Sequence, residues 1–181
     1  MIVFVRHGET DTNVAIENGL SSGEDDAALN QNGFCQARAT AELLRSYDFD
    51  IIISSPLKRA VQTAELINEY HGAKMILEND LQERMCGFVG TDIWNRLFDY
   101  DDAIEIPGVE KLDDFVHRVS VVIEKIKVFQ GDNNVLVVAH GGVNHAFYAY
   151  FNHLPRRGSI RIDMMHNADF RIYEFKEKTT K

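Results

Sequence analysis

Three times along this chain a short apolar run ends abruptly in a polar or glycine-containing turn and gives way to a segment with helical periodicity. The first run is Ile2 to Val5, closed by Arg6-His7-Gly8. The second is Ile51-Ile52-Ile53, closed by Ser54-Ser55-Pro56. The third is Val135 to Ala139, closed by His140-Gly141-Gly142. Short continuous runs rich in β-branched residues are the mark of strands covered on both faces, which restricts the chain to a mainly parallel sheet with helices on either side. The fold class expected is therefore α/β, a three-layer sandwich with a mostly parallel central sheet.

The intervening segments agree. Phe34, Ala37, Ala41 and Leu44 form one helical stripe, and Leu112, Phe115, Val119, Val122 and Ile126 another. Ser55 is positioned to cap a helix with Pro56 at its first position. Met75 to Leu77 and Ile160 to Ile162 read as further strands, Val143 to Phe151 as a buried helix, and Phe170 to Phe175 as an alternating strand near the C-terminus, at an edge.

With 181 residues, 45% of them hydrophobic, the chain reads as one domain, residues 1–181, with 176–181 as a flexible tail. A net charge of −9 argues against nucleic acid or an anionic membrane as partner. The acidic surplus is expected in solvated loops at Glu24-Asp25-Asp26 and Asp99 to Asp102. Cys35 and Cys86 are too few for a disulfide or metal framework and read as reduced thiols. The N-terminal apolar stretch is too short for a signal peptide, which makes the cytoplasm the expected compartment.

Parallel neighbours would bring the three strand ends to one rim, where open α/β sheets place their ligands. Arg6, His7, Arg59 and His140 would then converge. Neutral imidazole is a competent nucleophile toward phosphorus, and arginine forks suit the non-bridging oxygens of a phosphoryl group. Gly141 and Gly142 let backbone approach a ligand closely at the start of a helix. Two histidines in the turns directly after strands are hard to explain as core filling. His71, His117, His145, His153 and His166 carry no such signal.

The pattern resembles the histidine phosphatase superfamily, also called phosphoglycerate mutase-like. Arg6-His7-Gly8-Glu9-Thr10 with Asn13 matches the opening signature. Leu29-Asn30, Gly33 and Gln36-Ala37 resemble the helix that follows it, and the stretch from Ser54 to Ala64 around Arg59 resembles the second signature. Leu81 with Glu83 looks like the proton-donor segment, Ala139 to Gly142 like the segment bearing the second histidine, and Asn167 like a late asparagine. Two stretches depart from the pattern. Gly87 to Gly90 is one residue short, which implies a reshaped loop near the leaving group, and Pro107 to Lys111 replaces a glycine and a serine.

The resemblance implies a metal-independent phosphatase without a cofactor, acting on a small phosphorylated metabolite through a phosphohistidine. His7 would be the nucleophile, Glu83 the general acid, His140 a donor to the phosphoryl group, and Arg6, Asn13, Arg59 and Gly141 the phosphate-binding residues. The alternatives are a mutase-type phosphotransferase and a non-catalytic phospholigand-binding module. The short chain between Gly90 and Glu110 favours the phosphatase, because a mutase needs insertions that close its phosphohistidine from water. Phe88, Trp94, Phe98 and Tyr100 stand in the segment expected to cover the pocket. Substrate identity and oligomeric state are not legible.

Overall fold

The computed structural model describes residues 1–18, 26–84, 86, 93, 96–102, 106–130 and 133–175. In chain order its elements are β1 (Ile2–Arg6), α1 (Asp11–Glu17), α2 (Gln31–Leu44), β2 (Ile51–Ser54), α3 (Lys58–Asn68), β3 (Lys74–Leu77), a single 3-10 turn (Asn79–Leu81), α4 (Leu112–Gln130), β4 (Val135–Ala139), α5 (Gly141–Phe151) and β5 (Phe170–Tyr173). The tail 176–181, Glu24 and Asp25, the stretch Gly87 to Gly90 and Trp94 lie outside the described residues.

The five strands run in the order β3-β2-β4-β1-β5. All neighbours are parallel except β5, which pairs antiparallel with β1 at the edge, as the alternation of its residues suggests. Because β4 inserts between β1 and β2, the carboxyl ends of all three meet. Ile2 pairs with Val135 and Arg6 with Ala139, while Ile51 pairs with Val135 and Ser54 with Val138.

Side-chain alternation sorts each strand onto two cores. Ile2 and Phe4 of β1 join Val135, Val137 and Ala139 of β4 on the side covered by α4 and α5. Val3, Val5, Leu136 and Val138 face α2 and α3, against Ala41, Leu44, Ala60 and Ile67. A strand sandwiched in this way must be apolar at every position, which is why these runs show no polar alternation. Among the described residues no helix is long and apolar enough to cross a membrane.

Five local expectations are corrected. Phe34 is partly exposed, whereas Ala37, Ala41 and Leu44 are buried, and the buried residue at the start of α2 is Gly33. Helix α3 begins at Lys58 with Leu57 as its N-cap, so Ser55 is not the cap and Pro56 is not the first helical residue. Residues 160–162 are not a strand: only Ser159 bridges, to Asp99, and the chain then turns. The bridging pair also removes Asp99 from a purely solvated loop. The last strand stops at Tyr173.

Candidate active site

His7 follows β1 directly and continues its ladder, its N–H donating to Ala139 O at 2.9 Å. The chain must then turn under α2, and it does so by contact of two glycines. A Cβ on Gly8 would lie 2.5 Å from Gly33 O, and one on Gly33 would lie 2.1 Å from Glu9 O. Gln36 Oε1 accepts the Glu9 N–H at 2.9 Å, and Thr63 Oγ1 accepts that of Gly8 at 3.1 Å. The Gly33 and Gln36 positions of α2 thus serve to fix the loop that carries His7.

The His7 ring is buried and oriented from both ends. Nδ1 is 2.7 Å from Gly8 O, a contact that places the proton on Nδ1. Nε2 is left as the acceptor and receives Arg59 Nε–H at 3.2 Å. Arg59 stands in the first turn of α3. Burial, then Arg59, then Arg6 hold the His7 pKa well below its ordinary value, so the imidazole is neutral at pH 7.

His140 caps the N-terminus of α5 with its backbone and is fully buried, its ring centroid 5.1 Å from that of His7. Its Nε2 lies 2.8 Å from Ser55 Oγ, which also accepts the Leu57 N–H at 3.4 Å. The Ser55 O–H has no other acceptor among the described residues, so it donates to Nε2 and the ring proton sits on Nδ1. Nδ1 is buried with no hydrogen-bond partner among the described residues. Burial, followed by His7 and the arginines, also lowers the His140 pKa well below normal. The Arg6 guanidinium is similar: Nη1 donates to Met165 O at 2.6 Å, while Nε is buried without a partner among the described residues. Buried donors left in this way are costly unless a ligand accepts from them.

Glu83 is held by both carboxylate oxygens: Oε2 accepts the Gly142 N–H at 3.0 Å and Oε1 the Arg84 N–H at 2.9 Å. A Cβ on Gly142 would lie 2.1 Å from Glu83 Oε1 and 2.9 Å from Phe98 Cζ, so only glycine admits the carboxylate there. The Arg84 guanidinium does not pair with Glu83. It donates to Glu110 O at 3.0 and 2.7 Å and to Leu97 O, and it lies over the Phe98 ring.

Asn13 closes a capping box with Thr10 at the start of α1, and its Oδ1 accepts Asn167 Nδ2–H at 3.1 Å. Asn167 also donates to His7 O at 3.1 Å. The late asparagine therefore braces the backbone of His7. Phe98 is fully buried against Phe115 and His145, and Tyr100 packs on the same core, which makes both of them supports under the site. Phe88 lies outside the described residues.

Two features escaped the sequence reading. Arg118, on α4, forks onto the Glu110 carboxylate at 2.6 and 2.9 Å and donates to the carbonyls of Asp80, Gln82 and Glu83 at 2.6, 2.9 and 3.3 Å. It fixes the backbone that delivers Glu83. Its position three residues after Phe115 and four before Val122, within a buried stripe, is the signal that would have found it. Asp163 is the second: it binds Arg171 through both oxygens, and its carbonyl accepts Asn144 Nδ2–H at 3.1 Å. That network anchors the loop from which Met165 reaches Arg6 and Asn167 reaches His7.

The strand ends of this α/β sheet thus gather a buried neutral histidine, a second buried histidine, two arginines and a carboxylate, groups whose chemistry suits a phosphoryl ligand. Residues 2–181 match the profile of the Histidine phosphatase superfamily (branch 1), and the chain belongs to that family. It is 38% identical over 146 residues to a protein of Bacillus subtilis strain 168 described as uncharacterized phosphatase PhoE, covering 80% of this chain and 74% of that protein. It is 32% identical to the 2,3-bisphosphoglycerate-dependent phosphoglycerate mutase of Cytophaga hutchinsonii, covering 98% of this chain and 89% of the mutase. Among solved structures, that of mycobacterial glucosyl-3-phosphoglycerate phosphatase in complex with VO3 superposes with a TM-score of 0.79 at 27% identity, covering 93% of this chain and 88% of that one.

Proposed function

We propose that this protein is a phosphatase that hydrolyses the phosphomonoester of a small metabolite through a phosphohistidine on His7. The observation that carries the reading is the His7 ring itself. Nδ1 is tied to Gly8 O, Nε2 keeps its lone pair, and the surroundings hold the ring unprotonated. The phosphoryl group replaces the contact between Nε2 and Arg59, which brings its oxygens onto that guanidinium.

In the first step the Nε2–P bond forms as the bond from phosphorus to the leaving oxygen breaks, and Glu83 gives its proton to that oxygen. In the second, water attacks phosphorus, Glu83 takes a proton from it, and the P–N bond breaks to release phosphate. Arg6 Nε, Arg59, His140 Nδ1 and Asn13 hold the equatorial oxygens, and Gly141 leaves room for the phosphate beside Arg6. Positive charge preplaced around a loose, highly charged transition state is the main requirement of phosphoryl transfer. Arginines supply it here, so the reaction needs no metal or other cofactor.

Hydrolysis is favoured over transfer by the short chain between Gly90 and Glu110, though the mutase of C. hutchinsonii is a relative of similar identity. Purified protein supplied with 3-phosphoglycerate and, separately, p-nitrophenyl phosphate separates the two. Phosphate release from both supports the phosphatase. Isomerisation of phosphoglycerate with little release of phosphate overturns it.

A further inference from the structure

Helix α3 carries Arg59 in its first turn but has no cap of its own, because Leu57 stands at the N-cap position and brings no side-chain oxygen. The cap comes from 32 residues upstream. Asp26 Oδ1 accepts the Lys58 N–H at 2.6 Å, and Oδ2 lies 3.4 Å from Lys58 Nζ. Asp26 is the one described member of the acidic run Glu24-Asp25-Asp26, and it takes no part in phosphoryl transfer itself. The chain that leaves it stays on α3 and then crosses to the turn after β1. Leu29 N–H donates to Gln62 Oε1 at 2.8 Å, and its side chain is buried with Ala37 and Leu66. Asn30 N–H donates to Glu9 O at 3.0 Å and Asn30 Nδ2 to Glu9 Oε1 at 2.9 Å, while its Oδ1 accepts the Gly33 N–H of α2 at 2.8 Å. Residues 26–30 are thus a strap from the first turn of α3 to the turn that carries His7.

The strap matters because of where Arg59 sits. First-turn N–H groups have no partner within a helix, so an uncapped helix frays there first. The second turn of α3 is pinned to the His7 turn by Thr63, whose Oγ1 donates to Arg59 O at 2.7 Å and accepts the Gly8 N–H at 3.1 Å. Asp26 holds the other side of Arg59, on the residue just before it. A carboxylate there is favoured by the helix dipole as well as by the hydrogen bond, and at an exposed position it costs little to place. Between these two ties the Arg59 guanidinium is aimed at His7 Nε2, 3.2 Å from its Nε. A cation fixed in this way before the ligand arrives spends none of the binding free energy on being ordered.

We propose that Asp26 is a positioning residue for the phosphoryl site: by capping α3 from the strap, it keeps Arg59 at the pocket. Its hydrogen bond to the Lys58 N–H carries the effect, and the ion pair with Lys58 Nζ, exposed to solvent on both sides, adds little. The proposal rests on the phosphate-binding role proposed for Arg59 and deepens it.

Calorimetric titration with orthovanadate, a stand-in for the phosphoryl group, tests it without relying on turnover. Asp26→Ala should weaken binding by roughly 5-fold, the factor that loss of one helix cap supplies. Asp26→Asn, which keeps a capping oxygen and removes the charge, should stay within ~2-fold of wild type. The same substitution made in an Arg59→Gln protein separates positioning from general loosening. If Asp26 acts through Arg59, Asp26→Ala costs less than ~2-fold in that background; a loosened fold costs the same factor in both. Unchanged binding in Asp26→Ala, Asp26→Asn as weak as Asp26→Ala, or equal losses with and without Arg59 would overturn the proposal. Failure of the wild type to release phosphate from p-nitrophenyl phosphate overturns the phosphatase reading instead and leaves the binding result standing.

Discussion

Gly142→Ala isolates Glu83, the proposed general acid, from the rest of the site. The new methyl group would sit 2.1 Å from Glu83 Oε1, against an ordinary contact of roughly 3.4 Å, so the carboxylate must retreat by about 1 Å. Phe98 Cζ, at 2.9 Å, shifts by a few tenths. Both are outer ends of side chains, and Gly142 is already helical at the second position of α5, where alanine is the better helix former. Folding should therefore survive. A displacement of about 1 Å in a catalytic group costs on the order of 100-fold in rate. Because protonation matters in proportion to the basicity of the departing oxygen, the loss should be about 100-fold on an alkyl phosphate and only a few-fold on p-nitrophenyl phosphate. Steady-state kcat on the two substrates, with thermal unfolding as the control for folding, reads the difference. Equal losses on both, or no loss on the alkyl ester, would refute the placement of Glu83 as proton donor.

Two further consequences concern the histidines. Burial, helped by Arg161 and Arg6, pushes the His145 pKa down from 6.5 to about 4, so the unfolded chain binds a proton that the native one refuses. Stability should fall as pH drops from 6.5 toward 4, by about 3 kcal/mol from this residue, at about 1.4 kcal/mol per pH unit. His7 and His140 act in the same direction. Urea unfolding of wild type and His145→Gln across that range should show a shallower pH slope in the variant, and parallel slopes would contradict the assignment. Ser55→Ala removes the hydroxyl that fixes the His140 tautomer and should lower kcat roughly 10-fold with a small effect on KM. An unchanged kcat would show that the tautomer is set by another group.

Much of the site was legible because its chemistry is local in sequence. Arg6 ends β1, and His7 and His140 directly follow strands so apolar that only burial on both faces explains them; the parallel order then makes the three converge. What could not be read depends on contacts between distant segments. Ser55 looks like a helix cap when only its neighbours are considered, yet its hydroxyl serves a histidine 85 residues away. Ile160 and Ile162 alternate as a strand would, but Ile160 is buried and Ile162 exposed in a turn that must deliver Asp163 to Asn144 and Met165 to Arg6. Phe34 has the right spacing for the core. Its helix instead approaches the turn after β1 through Gly33, the residue small enough to touch Glu9.

The proposed mechanism turns on His7 carrying the phosphoryl group. Acid-stopped or base-stopped reaction mixtures, analysed by intact-protein and peptide mass spectrometry, test it most directly. A single phosphoryl group on His7 that survives base and is lost in acid, and that is absent from a His7→Ala protein unable to release phosphate, is the predicted result. Phosphate release by His7→Ala at the wild-type rate, or a phosphoryl group trapped on a different residue, would contradict it.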